Sequence, residues 1–164
     1  KYFNMLRDYY IDLSEPIIRF SGEVYQYAGD EIIVSWQMTK GLRDNNCIRC
    51  FFAMKESLEK RRLHYHDTYG LLPGFKAGFH YGAVTTGEIG VIKKEIIFTG
   101  DVLNTSARIQ GLCNQYGVDL LLSGDLLKKL DLTKHFQVKS FGDAALKGKD
   151  LKIELFTLSV NSSI

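Results

Sequence analysis

Four short stretches of this 164-residue chain carry side chains able to do chemistry. The first is "VYQYAGDEIIVSW" (residues 24–36), where two apolar strand-like runs meet at Gly29 and Asp30. Gly-Asp suits a tight hairpin, so Asp30 has a plain use as a turn residue. It is also a hard oxygen donor at a sheet edge. Mg²⁺ takes one or two such carboxylates and fills its shell with water and phosphate oxygens. The second is "GDVLNTSARIQGL" (residues 100–112), in which Asn104 and Arg108 stand four apart and share one helix face. That face is either solvated polar surface or a pair aimed at a nucleotide. In the second case the amide orients a ribose and the guanidinium meets charge developing on a phosphate. The third is "LKGKD" (residues 146–150), whose Lys147 and Lys149 flank a glycine. It is a solvated basic turn or a point-charge grip on a triphosphate. The fourth is "GFHYGAVTTGEIG" (residues 78–90), whose four glycines permit tight turns and close backbone approach. His80 within it reads as a packed, hydrogen-bonded histidine rather than a general base. His64 and His66 read as complements to a helix C-terminus.

These residues need a scaffold, and the composition supplies one. Hydrophobic residues make up 45% and charged residues 24%, as in an ordinary globular domain with room for a core. A formal net charge of +2 is too small to argue for nucleic acid. No apolar run reaches membrane-spanning length, and no signal peptide is visible. Three cysteines without a regular framework fit a reducing compartment. Cys47 and Cys50 form a C-x-x-C with no second pair to complete a metal site, so both read as buried helix residues.

Phe3, Leu6, Tyr10, Leu13, Ile17 and Phe20 recur at steps of three and four, which predicts an amphipathic helix interrupted and kinked at Pro16 and ended by Ser21-Gly22. Strands are expected over 23–28 and 31–36, then a long helix over 44–66. Further strands fall at 76–85, 95–99, 119–122, 135–141 and 153–160. Helices fall at 104–113, with Val102, Leu103, Ala107, Ile109 and Leu112 as its apolar contacts, and at 124–130. This order, with mostly antiparallel neighbours, predicts one α+β sandwich over residues 1–164. The first helix needs a sheet to cover, so a strand is expected upstream of Lys1.

Together the four stretches resemble the catalytic domain of class III nucleotidyl cyclases, the family of adenylate and guanylate cyclases. "YAGDEIIVSW" is similar to the family's metal hairpin and "GFHYGAVTTGEIG" to its Gly-x-His-x-Gly strand. "GDVLNTSARIQ" resembles its signature helix, and "LKGK" its closing basic turn. The resemblance implies a ferredoxin-like βαββαβ core with extra C-terminal elements, lacking its first strand here. It implies a homodimer set head to tail with active sites at the interface. The implied reaction turns a nucleoside triphosphate, ATP by family prevalence, into its 3′,5′-cyclic monophosphate and pyrophosphate. Two Mg²⁺ or Mn²⁺ ions would assist the in-line attack.

By the same resemblance Asp30 is a metal ligand, Asn104 orients the ribose, and Arg108 stabilises the pentavalent transition state. Lys147, with Lys149 as runner-up, holds the β- and γ-phosphates. The second metal aspartate is expected upstream of Lys1. Two positions depart from the pattern. Gln26 stands where the family usually has a base-reading Lys, and Ile97 where adenylate cyclases usually have Asp or Thr. A guanylate or relaxed-specificity cyclase is therefore an alternative, as is a non-catalytic module that dimerises or binds nucleotide. A diguanylate cyclase is disfavoured because its Gly-Gly-Asp/Glu-Glu-Phe hairpin is absent. The implied context is a cytoplasmic domain beside a regulatory or membrane region.

Overall fold

The computed structural model describes residues 1–83, 85–89, 95–99, 101–132, 135–146 and 152–161, with 85–89 and 95–99 described by backbone path. The chain divides into two compact units, Lys1–Phe75 and Lys76–Ile164.

The first unit opens with helix α1, Tyr2–Arg19. Of the predicted series Leu13 and Ile17 are buried, Leu6, Tyr10 and Phe20 half-buried and Phe3 exposed, and Tyr9 completes the buried stripe in its place. Pro16 lies buried within one continuous helix, so the expected interruption amounts to the amide hydrogen bond that Pro16 cannot donate. The helix ends in a Schellman motif, with Gly22 N–H donating to Ile17 O at 2.8 Å and Ser21 N–H to Ile18 O at 3.1 Å. The left-handed residue of that motif is Ser21, at φ 66°, rather than the glycine beside it. Gly22 is needed for another reason. A Cβ there would sit 3.0 Å from the Trp36 indole. That indole donates from Nε1 to the Phe20 carbonyl, 3.0 Å away, and satisfies an acceptor that the helix end leaves open.

Strands β1 (Glu23–Ala28) and β2 (Glu31–Ser35) pair antiparallel, with a bulge between Val24 and Gln26. Helix α2 (Met38–Leu42) and a 3-10 turn (Arg43–Asn45) follow, neither of them expected. The predicted helix over 44–66 is instead two helices, α3 (Asn46–Lys60) and α4 (Arg62–Tyr69). Its start is delayed because Asp44 and Asn45 adopt φ of 51° and 56°, a region that Asp and Asn tolerate better than most residues. It breaks at Arg61, whose backbone (φ −98°, ψ 11°) leaves the helical region. Tyr65 of α4 then joins Cys50, Met54 and Leu58 of α3 against the buried face of α1.

The second unit contains β3 (Ala77–Phe79), β4 (Thr85–Ile89), β5 (Glu95–Thr99), α5 (Asp101–Gly111) and α6 (Cys113–Tyr116). It continues with β6 (Leu120–Ser123), α7 (Gly124–Leu127), β7 (Phe136–Ala145) and β8 (Lys152–Val160). Four strands form a sheet in the order β3-β6-β8-β7. The β3–β6 pair is parallel, and the other two pairs are antiparallel. A parallel pair needs a crossover, which the segment carrying α5 provides. The expected strand over 76–85 is only three residues long, and Thr85 already begins β4, which pairs with β5 in a separate hairpin.

Candidate functional site

In the first unit, Asp30 follows Gly29 in the turn of the β1–β2 hairpin. Gly29 has φ +61°, the conformation that makes glycine the natural residue there. The Asp30 side chain is exposed, and among the described residues no cation pairs with it. Phenols stand beside this turn. Tyr10 of α1 donates its hydroxyl to the Gly29 carbonyl, and its ring packs on Tyr27 of β1 with centroids 4.5 Å apart. Burial, then the Asp30 charge, raises the Tyr10 phenol above its usual range. Burial, Tyr10 and Asp30 together push Tyr9 up to about 12. Both phenols therefore keep their protons at neutral pH. Gln26 is exposed on β1, paired with Ile33 across the hairpin. Beside the turn runs an open groove of about 450 Å³ lined by Phe3, Leu6, Arg7, Tyr10, Ile11 and Tyr27, among others.

In the second unit, α5 places Asn104 and Arg108 as the 3.6-residue period requires. Asn104 is exposed and Arg108 half-buried, while Thr105 and Ile109, each one residue on and about 100° round the helix, are fully buried. Ala107, expected among the apolar contacts, is exposed. Thr105 fills the core role instead and ties its hydroxyl to Asp101 Oδ2 at 3.3 Å. What seats the helix is Gly78 of β3. A Cβ at that position would lie 2.4 Å from Gln110 N and 2.5 Å from Ser106 O. The backbones of α5 and β3 thus touch, which turns residues 104 and 108 outward. Ile109, Leu121, Leu146 and Leu155 close the core behind them.

His80 is packed as expected. Its Nδ1 lies 2.7 Å from the buried Ser123 Oγ, and that hydroxyl also caps α7 by accepting from Leu126 N. Ile97 faces Gly87 in the β4–β5 register. Lys147 and Lys149 lie outside the described residues. Cys47 and Cys50 are buried, and burial pushes their thiols up to about 11 and about 12, so neither offers a thiolate. Among the described residues no group of three or more His, Cys, Asp or Glu could hold a metal. Asp30 is a hard carboxylate donor with no ion-pair partner among the described residues, and one such donor fits the smallest protein share of a divalent-cation site.

One polar network escaped the sequence reading. Asp8 of α1 accepts from Tyr69 Oη at 2.7 Å and meets His64 Nε2 at 2.9 Å. Asp12 accepts from Tyr65 Oη at 2.6 Å and from Arg61 Nε at 3.3 Å. His64 therefore ties α4 to α1 rather than serving a helix terminus. The Asp8–Asp12 spacing of four, which puts two carboxylates on one face of the helix, was the available signal.

No family model matches the chain. Adenylate cyclase 2 of Rhizobium meliloti (strain 1021) is 32% identical over 150 residues, covering 92% of this chain and 41% of that protein. A bacterial light-regulated adenylyl cyclase superposes with a TM-score of 0.78 at 24% identity, covering 93% of this chain and 43% of that one. The chain has the class III nucleotidyl cyclase fold and is similar in sequence to adenylate cyclases. The guanylyl cyclase Cya2 shares the fold as well, with a TM-score of 0.76 at 19% identity over 96% of this chain and 79% of its own. The α+β architecture is thus the class III cyclase fold, which serves enzymes named for either base. The chain spans less than half the length of the curated relatives it matches. Among its described residues no helix is long and apolar enough to cross a membrane.

Proposed function

We propose that residues 1–164 act as the catalytic domain of an adenylate cyclase, converting ATP to 3′,5′-cyclic AMP and pyrophosphate. The observation that carries this reading is the Asp30 carboxylate, exposed at a hairpin turn with no protein cation beside it among the described residues. Asp30 would hold a divalent ion, Mg²⁺ or Mn²⁺, and a second carboxylate outside this stretch would complete a two-ion site. Such ions, when bound, acidify the ribose 3′ hydroxyl and offset charge on the phosphates. Asn104 orients the ribose, and Arg108 meets the charge that grows on the α-phosphate as the 3′ oxygen attacks. Lys147, with Lys149 as runner-up, holds the β- and γ-phosphates. The hairpin and the α5 face would meet across a homodimer interface, each active site drawing on two protomers. The domain would work inside the cell, where ATP is made, next to a regulatory or membrane region.

A second reading, a guanylate or relaxed-specificity cyclase, is favoured by Gln26 and Ile97. The exposed Gln26 amide both donates and accepts, so it suits adenine and guanine alike. Ile97 has no side-chain hydrogen bond to offer either base.

Incubating the full-length protein with ATP, GTP, CTP and UTP plus Mn²⁺ should yield cyclic AMP as the main product. No cyclic product from any of them would end the enzymatic reading. Asp30→Ala and Arg108→Ala should each lower kcat at least about 100-fold while leaving the melting temperature unchanged. Full activity in Asp30→Ala would show that the metal assignment is wrong.

A further inference from the structure

We infer that Tyr10 is a positioning residue for the Asp30 carboxylate: its phenol braces the Gly29-Asp30 peptide and so fixes the direction in which that carboxylate points. The inference rests on the reading of Asp30 as a metal ligand.

The argument begins with the turn. Gly29 has no side chain, sits at φ +61°, and nothing lies within 4 Å of where its Cβ would be. By itself such a residue holds its neighbours loosely. The Gly29 carbonyl and the Asp30 N–H belong to one planar peptide unit. A hydrogen bond to that carbonyl therefore sets the plane from which the Asp30 side chain departs. Tyr10 supplies the bond from α1, nineteen residues away in sequence. Its own ring is held twice, against Tyr27 at 4.5 Å and against Tyr9 at 5.7 Å between centroids. Tyr9 is in turn buried in the core of the unit. A rigid helix thus reaches the hairpin tip through one hydroxyl. The phenol stays protonated at neutral pH, as a donor must. A carboxylate held in place before an ion arrives loses less freedom on binding, so the hydroxyl should tighten the ion and leave the nucleotide's affinity alone.

Tyr10→Phe removes the hydroxyl and keeps the ring. In the full-length protein, Mn²⁺ affinity is read directly from the electron paramagnetic resonance of free Mn²⁺, with a non-hydrolysable ATP analogue present. The expected result is a Kd raised about 3- to 10-fold, the loss of one hydrogen bond's worth of positioning. KM for ATP at saturating Mn²⁺ should stay within about twofold and Tm within about 2 °C, which a merely structural role would not produce. An unchanged Mn²⁺ Kd, or a fall in Tm without a change in Kd, would overturn the inference. Asp30→Asn separates the two claims. If it weakens Mn²⁺ and Tyr10→Phe does not, the brace fails and the metal reading stands. If Asp30→Asn binds Mn²⁺ like the parent, the metal reading fails and takes the brace with it. The double variant should bind no more weakly than Asp30→Asn alone, and a further loss would show Tyr10 acting by another route.

Discussion

Strand β6 and the β1–β2 hairpin bury their residues in opposite ways. Leu120, Leu121, Leu122 and Ser123 are all buried, a continuous run as expected for a strand covered on both faces. Strand β1 is half-buried at Val24 and Tyr25 and exposed from Gln26 to Ala28. The first region is held by area removed from water, and the second by partial burial of Val24, Ile32 and Val34 together with a few directed contacts from α1. The contrast extends to their glycines. Gly78, beside β6, is required by space, because α5 rests on its backbone. Gly29 is required by conformation, because its φ is positive and its surroundings are empty.

The same substitution should therefore cost different amounts at the two positions. Gly78→Ala drives a methyl into the α5 backbone and should lose about 3 kcal/mol or more, read from the urea midpoint. Gly29→Ala meets no obstacle and should lose only about 1 kcal/mol, the price of a left-handed alanine. Equal losses would erase the distinction.

A smaller effect tests the directed contacts. Hydrogen bonds from Tyr69 and then His64 hold the Asp8 carboxyl below its usual range. Its contribution is then full above the unfolded value near about pH 4 and drains away as pH falls through the lower folded value. Asp8→Asn should be less stable than the parent at about pH 7, and the gap should narrow as the pH falls below about 4. A gap that stays constant with pH would show that the tie between α1 and α4 owes nothing to charge.

The smallest change is a gain. Ser21 occupies the left-handed position of the α1 cap at φ 66°, so Ser21→Gly should raise stability by roughly 0.5–1 kcal/mol. A thermal melt showing a loss instead would mean that the serine hydroxyl is worth more than the strain.

The parts of this molecule legible in its sequence are those fixed by period. The α1 stripe, the hairpin at residues 23–35 and the pairing of Asn104 with Arg108 on one face follow from spacings of two or of three and four. The division of residues 44–66 was not legible, because the apolar spacing continues across Arg61 without Gly or Pro to mark a break. Nor was the seat of α5. A glycine in a strand signals some close approach, but only the fold shows that the approaching atoms are Ser106 O and Gln110 N. The Tyr10 hydroxyl is a third case. Tyr10 fits the apolar stripe of α1 so well that its oxygen goes unnoticed until the hairpin is placed against it.

Trp36 is the chain's single tryptophan, and its indole is hydrogen-bonded to the last turn of α1. Tryptophan emission from residues 1–164 is consequently a native, label-free signal of events in residues 1–75. A spectral shift upon adding Mn²⁺ could be followed in a cuvette without attaching any dye.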